Sequence, residues 1–365
     1  MLRQARHTLG WLVTAAMLLT GCQYDGVVTD LHQDKGADSV AISFGNGVID
    51  APIRTKAVTL LSEHTKTMGV WGWQTSKSGQ VACLFLNQEV TYNPEVGLWA
   101  YSPEKYWQDG SSYRFYAYAP HSSTVPSARV SIDEETGHIS IAGVTLKGCN
   151  TMQTEALPRP IGSFMSVDDT DWLIDRSGKN VPKEQIRTRV IFNMQHILAK
   201  FNIMISANQV LADGGTVVLD SLIIGPFMSK ADFTQKLNHS PQLDNEDDQA
   251  VIEWVIDGQA PRYNIYSTKN AVIPEGGCCV VESLLLPQEV TAYQTVLVSY
   301  SVHSEGGRVE RFIYSFDLKD AFSSFKCSNN YSLNITLGPD VISFDAGSTV
   351  WDDNDAVGRD IIPNK

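Results

Sequence analysis

The chain has 365 residues, 28 Lys and Arg against 41 Asp and Glu, a formal net charge of -13, and 43% hydrophobic residues. That apolar content can fill ordinary cores and the length allows two or three domains, so global disorder is excluded. No basic tract offsets the acidic excess, which argues against nucleic acid as a partner, because neutralising phosphates needs clustered Lys and Arg.

The first residues form a targeting segment. Arg3, Arg6 and His7 make a basic start, Leu9 to Leu19 an apolar run too short to span a bilayer, and Leu19-Thr20-Gly21-Cys22 matches a bacterial lipobox. Residues 1–21 are therefore expected to be removed and the Cys22 thiol to carry diacylglycerol. Acyl chains contribute about 0.8 kcal/mol per buried CH₂, so two or three on one residue make a stable anchor to the outer membrane. The polar run 22–39, with Asp25, Asp30, Asp34 and Asp38, reads as a flexible spacer.

Val40, Ile42 and Phe44 then alternate with Ala41 and Ser43 as a short strand, stopped by Gly45-Asn46-Gly47 and followed by the basic Arg54. Strands are expected at Gly69 to Trp73 and Val81 to Phe85. The stretch Phe85 to Pro120 follows, with two of the eight tryptophans and six of the thirteen tyrosines. Its last segment places Tyr113, Phe115 and Ala117 on one face of a period-two strand and Arg114, Tyr116 and Tyr118 on the other. Both faces are aromatic, which predicts a central strand. Ala128 to Ile132, Ile139 to Ile141 and Asp168 to Ile174 complete the first half, and the polar stretch from Lys179 to Glu184, with Pro182, marks a domain boundary at 183/184.

Ile186 to Phe201 fits helical spacing and strand alternation equally, and periodicity does not decide between them. Further strands are expected at Thr216 to Ile224, Val251 to Ile256, Val280 to Leu286 and Tyr331 to Leu337, and Thr295 to His303 pairs with Arg308 to Phe316 as a hairpin across Gly306-Gly307. Short strands at this spacing read as an all-β sandwich architecture, with units 40–183 and 184–365.

Signals for chemistry are sparse. No G-x-S-x-G elbow, H-E-x-x-H helix, phosphate loop or dinucleotide fingerprint is present, so the reading is not an enzyme, with no cofactor and no metal. His196 lies on an apolar segment without local partners and reads as a core residue. Asp168-Asp169-Thr170-Asp171 and Asp352-Asp353-Asn354-Asp355 lack the calcium-loop spacing. Cys83, Cys149, Cys278, Cys279 and Cys327 are an odd set with no C-x-x-C, best read as buried thiols. Trp107, beside Gln108-Asp109-Gly110, is the aromatic placed to contact a ligand from a loop.

The order of several phrases carries a family resemblance. F-x-N-Q-x-V-T-Y from Phe85, W-x-Y-S-P-x-K-Y-W from Trp99 and Y-x-F-Y-A-Y-A-P from Tyr113 resemble the first domain of the fimbrillin-like (Mfa-like) lipoproteins, the type V pilin group of Bacteroidia-type bacteria. Phe164, Met165 and Asp169, the run His196 to Lys200, Leu286-Pro287-Gln288, and Tyr331 to Ile335 followed by Ile342, Phe344, Val350 and Trp351 agree with that pattern. The resemblance implies two tandem transthyretin-like β-sandwiches, strand, turn, strand over 186–201, and a cell-surface fimbrial subunit involved in adhesion. It implies polymerisation by strand exchange with itself or other fimbrial subunits: cleavage after Arg54 would free the Val40, Ile42, Phe44 strand, and Ile342 and Phe344 of a neighbour would fill the groove. The alternative is a stand-alone outer-membrane lipoprotein that holds a glycan or a host or bacterial surface protein through aromatic loops such as that of Trp107.

Overall fold

The computed structural model describes residues 39–49, 60–125, 128–133, 136–147, 170–175, 179–208, 215–236, 251–267, 271–274, 276–338 and 342–351, all within the unit Gln33–Lys365. In chain order the first part forms β1 (Val48–Ile49), a single helical turn α1 (Leu61–His64), β2 (Thr67–Thr75), β3 (Val81–Asn93), β4 (Leu98–Ala100), β5 (Ser112–Ala119), β6 (Arg129–Ile132), β7 (Ile139–Thr145), β8 (Leu173–Asp175), β9 (Lys179–Val181) and β10 (Asn193–His196). The second part forms β11 (Ala199–Ala207), β12 (Thr216–Phe227), β13 (Lys230–Lys236), β14 (Val251–Ile256), β15 (Tyr263–Ser267), β16 (Ala271–Val272), β17 (Cys278–Leu285), β18 (Gln288–Glu289), β19 (Thr295–His303), β20 (Val309–Asp317), β21 (Ser324–Phe325), β22 (Asn329–Leu337) and β23 (Ser343–Val350).

β5 sits in the middle of the largest sheet, in the order β1-β10-β8-β5-β2-β3-β4 with β9 also paired to β5. Its alternation feeds two cores. Tyr113, Phe115, Ala117 and Ala119 pack with Phe44, Phe85 and Phe192 on one side; Tyr116 and Tyr118 pack with Trp71, Trp73 and Trp172 on the other. The aromatic pattern on both faces has this physical cause: from Phe115 to Ala119 neither face meets water.

A further core lies between the sheet β17-β11-β22-β23 and the sheet β15-β12-β19-β20. Phe201, Ile203 and Ile205 of β11 face it, as do Val296, Val298 and Tyr300 of β19. In β12 the inward residues change phase, from Val217 and Leu219 to Leu222 and Ile224, and the pairing with β19 slips between Leu219 and Ser221. A bulge there re-aims the strand, since one extra residue flips which side chains point inward. The hairpin of β19 and β20 pairs in register from Thr295↔Asp317 to His303↔Val309.

The boundary drawn at 183/184 is not followed by the pairing. β10 joins the first-half sheet, antiparallel to β8 and parallel to β1. More consequentially, β13 and β14 leave the second half and extend the β6–β7 hairpin into a sheet β14-β13-β7-β6, with Phe233 opposite Ile141. Ala231 and Phe233 share a core with Trp71, Tyr118 and Ile139, and Leu284 and Leu286 reach the same core from β17. The ambiguous stretch 186–201 resolves as strand, turn, strand, because β10 and β11 each find a sheet of their own.

Candidate functional site

The residues at 39–49 are bound to the first sandwich more by backbone bridges than by a regular ladder. Isolated bridges join Ala41 to Tyr106, and Phe44 to both Trp99 and Val190. The Ile42 N–H donates to the Lys105 carbonyl (2.8 Å), and the Trp107 N–H to the Val40 carbonyl (2.9 Å). On the other side the Val190 N–H donates to the Ser43 carbonyl (2.9 Å) and the Gly45 N–H to that of Val190 (2.8 Å). The Tyr101 hydroxyl donates to the Ile42 carbonyl at 2.8 Å, and burial pushes its pKa up to about 12. The segment therefore lies in a groove between 99–107 and 190–192.

Phe44 fills the floor of that groove. Its ring is 1% exposed and meets Phe85 (5.6 Å), Tyr101 (5.6 Å), Phe115 (6.0 Å) and Phe192 (5.9 Å) between centroids. Ile42 is equally buried, whereas Val40 is 39% exposed. Of the three alternating apolar side chains, Ile42 and Phe44 are therefore buried and Val40 is not. At about 1.5–3 kcal/mol each, Ile42 and Phe44 stabilise the seated segment by about 3–6 kcal/mol, an upper figure.

Asn46 links this segment to α1, a role that a Gly-Asn-Gly turn does not announce in sequence. Its Oδ1 accepts from the Ser62 N–H (3.0 Å) and the Trp99 indole N–H (3.3 Å), while its Nδ2 donates to Ser62 Oγ (2.6 Å). Gly45 and Gly47 are needed beside it: an added Cβ would stand 2.8 Å from Ile191 Cγ1 at Gly45 and 3.0 Å from the Phe192 carbonyl at Gly47. The Leu61 N–H donates to the Gly47 carbonyl at 2.8 Å. The chain before and after 50–59 is thus laced together. Arg54 and Cys22 lie outside the described residues, as do Cys149, Phe164, Met165, Asp169 and the 352–355 acidic run.

Two expected sites are placed differently. Trp107 is 6% exposed, its ring edge-on to Tyr113 at 4.7 Å and to Phe115 at 6.1 Å, so it is a core residue and offers no open face to a ligand. The expected donor segment is held in its own sheet: β23 pairs antiparallel with β22, Phe344 opposite Ile335. Ile342 packs against the second core, and the Phe344 ring stacks on Phe316 of β20 at 4.3 Å while remaining 39% exposed. β23 and β20 are both edge strands, so this stack joins the rims of the two sheets.

A second constellation went unseen in the sequence. His196 is not a lone histidine: its Nδ1 stands 3.0 Å from Asp171 Oδ2, and the same oxygen is 3.3 Å from His64 Nε2. The two rings meet edge-on at 5.3 Å, and Trp351 stacks on His196 at 3.7 Å and 5°. Burial opposes ionisation of Asp171, but the flanking imidazoles, His196 foremost, hold its carboxyl well below the usual carboxylate range. Three segments far apart in sequence supply this cluster, so no local spacing announces it.

The described thiols Cys278, Cys279 and Cys327 are free, and burial raises Cys278 to about 11 and Cys279 to about 12. Neither is poised as a nucleophile. Among the described residues no helix is long and apolar enough to cross a membrane.

Against known proteins, the fimbrillin-like family matches residues 55–352. No curated protein matches. Among solved structures, a fimbrial protein from Bacteroides vulgatus is similar at 13% identity and a TM-score of 0.55, over 86% of this chain and 100% of that one. Putative cell adhesion proteins from Bacteroides uniformis (16% identity, 86% and 99% covered, TM-score 0.48) and Bacteroides ovatus (13%, 87% and 99%, 0.47) are also similar. The match over most of its length, together with the all-β architecture, shows that the chain belongs to the fimbrillin-like family.

Proposed function

We propose that this protein is a lipid-anchored subunit or accessory component of a surface fimbria, exported to the outer membrane through Cys22 and assembled by strand exchange at the groove that holds residues 39–49. The observation that carries this reading is the seat of Phe44. A short segment places one aromatic ring at the centre of the first core, yet bonds to its neighbours through isolated bridges. Cleavage after Arg54 would leave those bridges, the two-residue pairing of β1 with β10, the Asn46 contacts and the buried side chains of Ile42, Phe44 and Ile49 to retain it. Once it left, the groove would present unpaired backbone groups and an apolar floor, which template pairing with another chain. The likeness in fold to a fimbrial protein from Bacteroides vulgatus is compatible with a fimbrial role.

One observation favours a second reading. β23, the segment expected to be donated, is already paired along its length with β22. An anchor that keeps its lipidated start and accepts a neighbour without donating to one satisfies that arrangement, and so does a stand-alone lipoprotein that never polymerises. Electron microscopy of cells expressing the chain with and without residues 40–44, alongside a Cys22→Ala variant, separates these. Filaments that depend on residues 40–44 support a shaft or tip subunit. Filaments lost or shed only with Cys22→Ala support an anchor, and a surface bare of filaments in every case rejects the fimbrial reading.

A further inference from the structure

The cluster of His64, Asp171 and His196 has the composition and spacing of a transition-metal site. One ligand atom from each residue, two ring nitrogens and a carboxylate oxygen, lies within 4.8 Å of the others. Asp171 Oδ2 is 3.3 Å from His64 Nε2 and 3.0 Å from His196 Nδ1. A tetrahedral zinc ion bonds such donors at about 2.0–2.2 Å, which sets its ligand atoms about 3.3 Å apart. Two edges of the required figure are therefore already near length, and the third closes with a small movement of His64.

The surroundings match what such a site needs. The His196 side chain is 2% exposed and its ring plane is fixed by the stacked Trp351 indole; the Ser328 hydroxyl donates to its carbonyl. The Ile197 N–H donates to the Trp172 carbonyl at 3.1 Å, pinning the end of β10 beside the residue that follows Asp171. His64 is the outer member, its side chain 23% exposed, and gives an entry path from solvent. Two imidazoles and one carboxylate leave a fourth position for water. They favour zinc-like ions over calcium or magnesium, which take oxygen ligands.

We propose that His64, Asp171 and His196 bind one divalent transition-metal ion of the zinc class. The ion ties α1 to the lead-in of β8 and the end of β10, and so fastens the helical turn that Asn46 grips. This replaces the expectation, drawn from the sequence, that no metal is bound. It stands independently of whether the chain polymerises.

The test uses the full mature chain, stripped with chelator and dialysed, then titrated with Zn²⁺ by calorimetry and with Co²⁺ by visible absorption. One equivalent of Zn²⁺ should bind, Co²⁺ should develop the intense bands of a tetrahedral site, and the melting temperature should rise with Zn²⁺. His64→Gln, at the partly exposed position where folding is least at risk, should weaken Zn²⁺ binding by about 100-fold while its circular dichroism stays unchanged. Asp171→Asn should abolish the Co²⁺ bands. Absence of stoichiometric Zn²⁺ binding, or binding that His64→Gln leaves intact, would overturn the proposal and leave a metal-free ion-pair cluster.

Discussion

Phe44 shows how much one side chain can decide. It is surrounded by four aromatic rings in a core that also holds Trp99 and Trp107. Phe44→Ala should cost about 3–5 kcal/mol, read as a lower urea midpoint, because the cavity cannot be refilled by the exposed Val40. The same variant should raise the susceptibility of residues 39–49 to proteolysis. The thiols give a pH prediction. Their folded pKa values of about 11 and 12 lie above the ordinary thiol range, so the fold retains protons that the unfolded chain releases. Stability is unaffected by them below pH of about 8 and falls as pH rises toward 11 and 12, since the unfolded state then binds fewer protons. Tyr116, raised to about 12 by burial, acts in the same direction at higher pH. Alkylation of Cys279 at neutral pH should be slow until denaturant is added, as mass spectrometry would show.

At the scale of elements, the legible parts were those whose cause is local. The Tyr113 to Tyr118 alternation reveals a strand buried on both faces, and Gly306-Gly307 between two apolar runs reveals the β19–β20 hairpin. What stayed hidden is non-local. β13, with Ala231, Phe233 and Gln235 alternating with Lys230, Asp232, Thr234 and Lys236, carries the pattern of a half-buried strand. Nothing in that pattern says its partner is β7, far upstream. Trp107 misled because a tryptophan beside a Gly turn reads as exposed, and only the neighbouring Tyr113 ring shows that it is covered. The contribution of β13 to the first-half core has a thermodynamic consequence. Phe233→Ala should destabilise both halves together, with near-ultraviolet circular dichroism and intrinsic fluorescence melting in one transition. Two separated transitions in the wild-type protein would show that the shared sheet does not couple them.

At the scale of the whole molecule, the family match places the chain among the fimbrillin-like proteins. Within that frame residues 39–49 bridge to 99–107 and 190–192, and β23 is an edge strand of its sheet. The most direct measurement of strand exchange is the solution mass of the mature chain after limited digestion, with mass spectrometry confirming a single cut after Arg54. Light scattering should then report a concentration-dependent ladder of multiples of the cut chain. An Arg54→Ala control treated identically should remain a monomer. A cut chain that has lost residues 39–49, keeps its native circular dichroism, and stays monomeric at high concentration would contradict exchange at this groove.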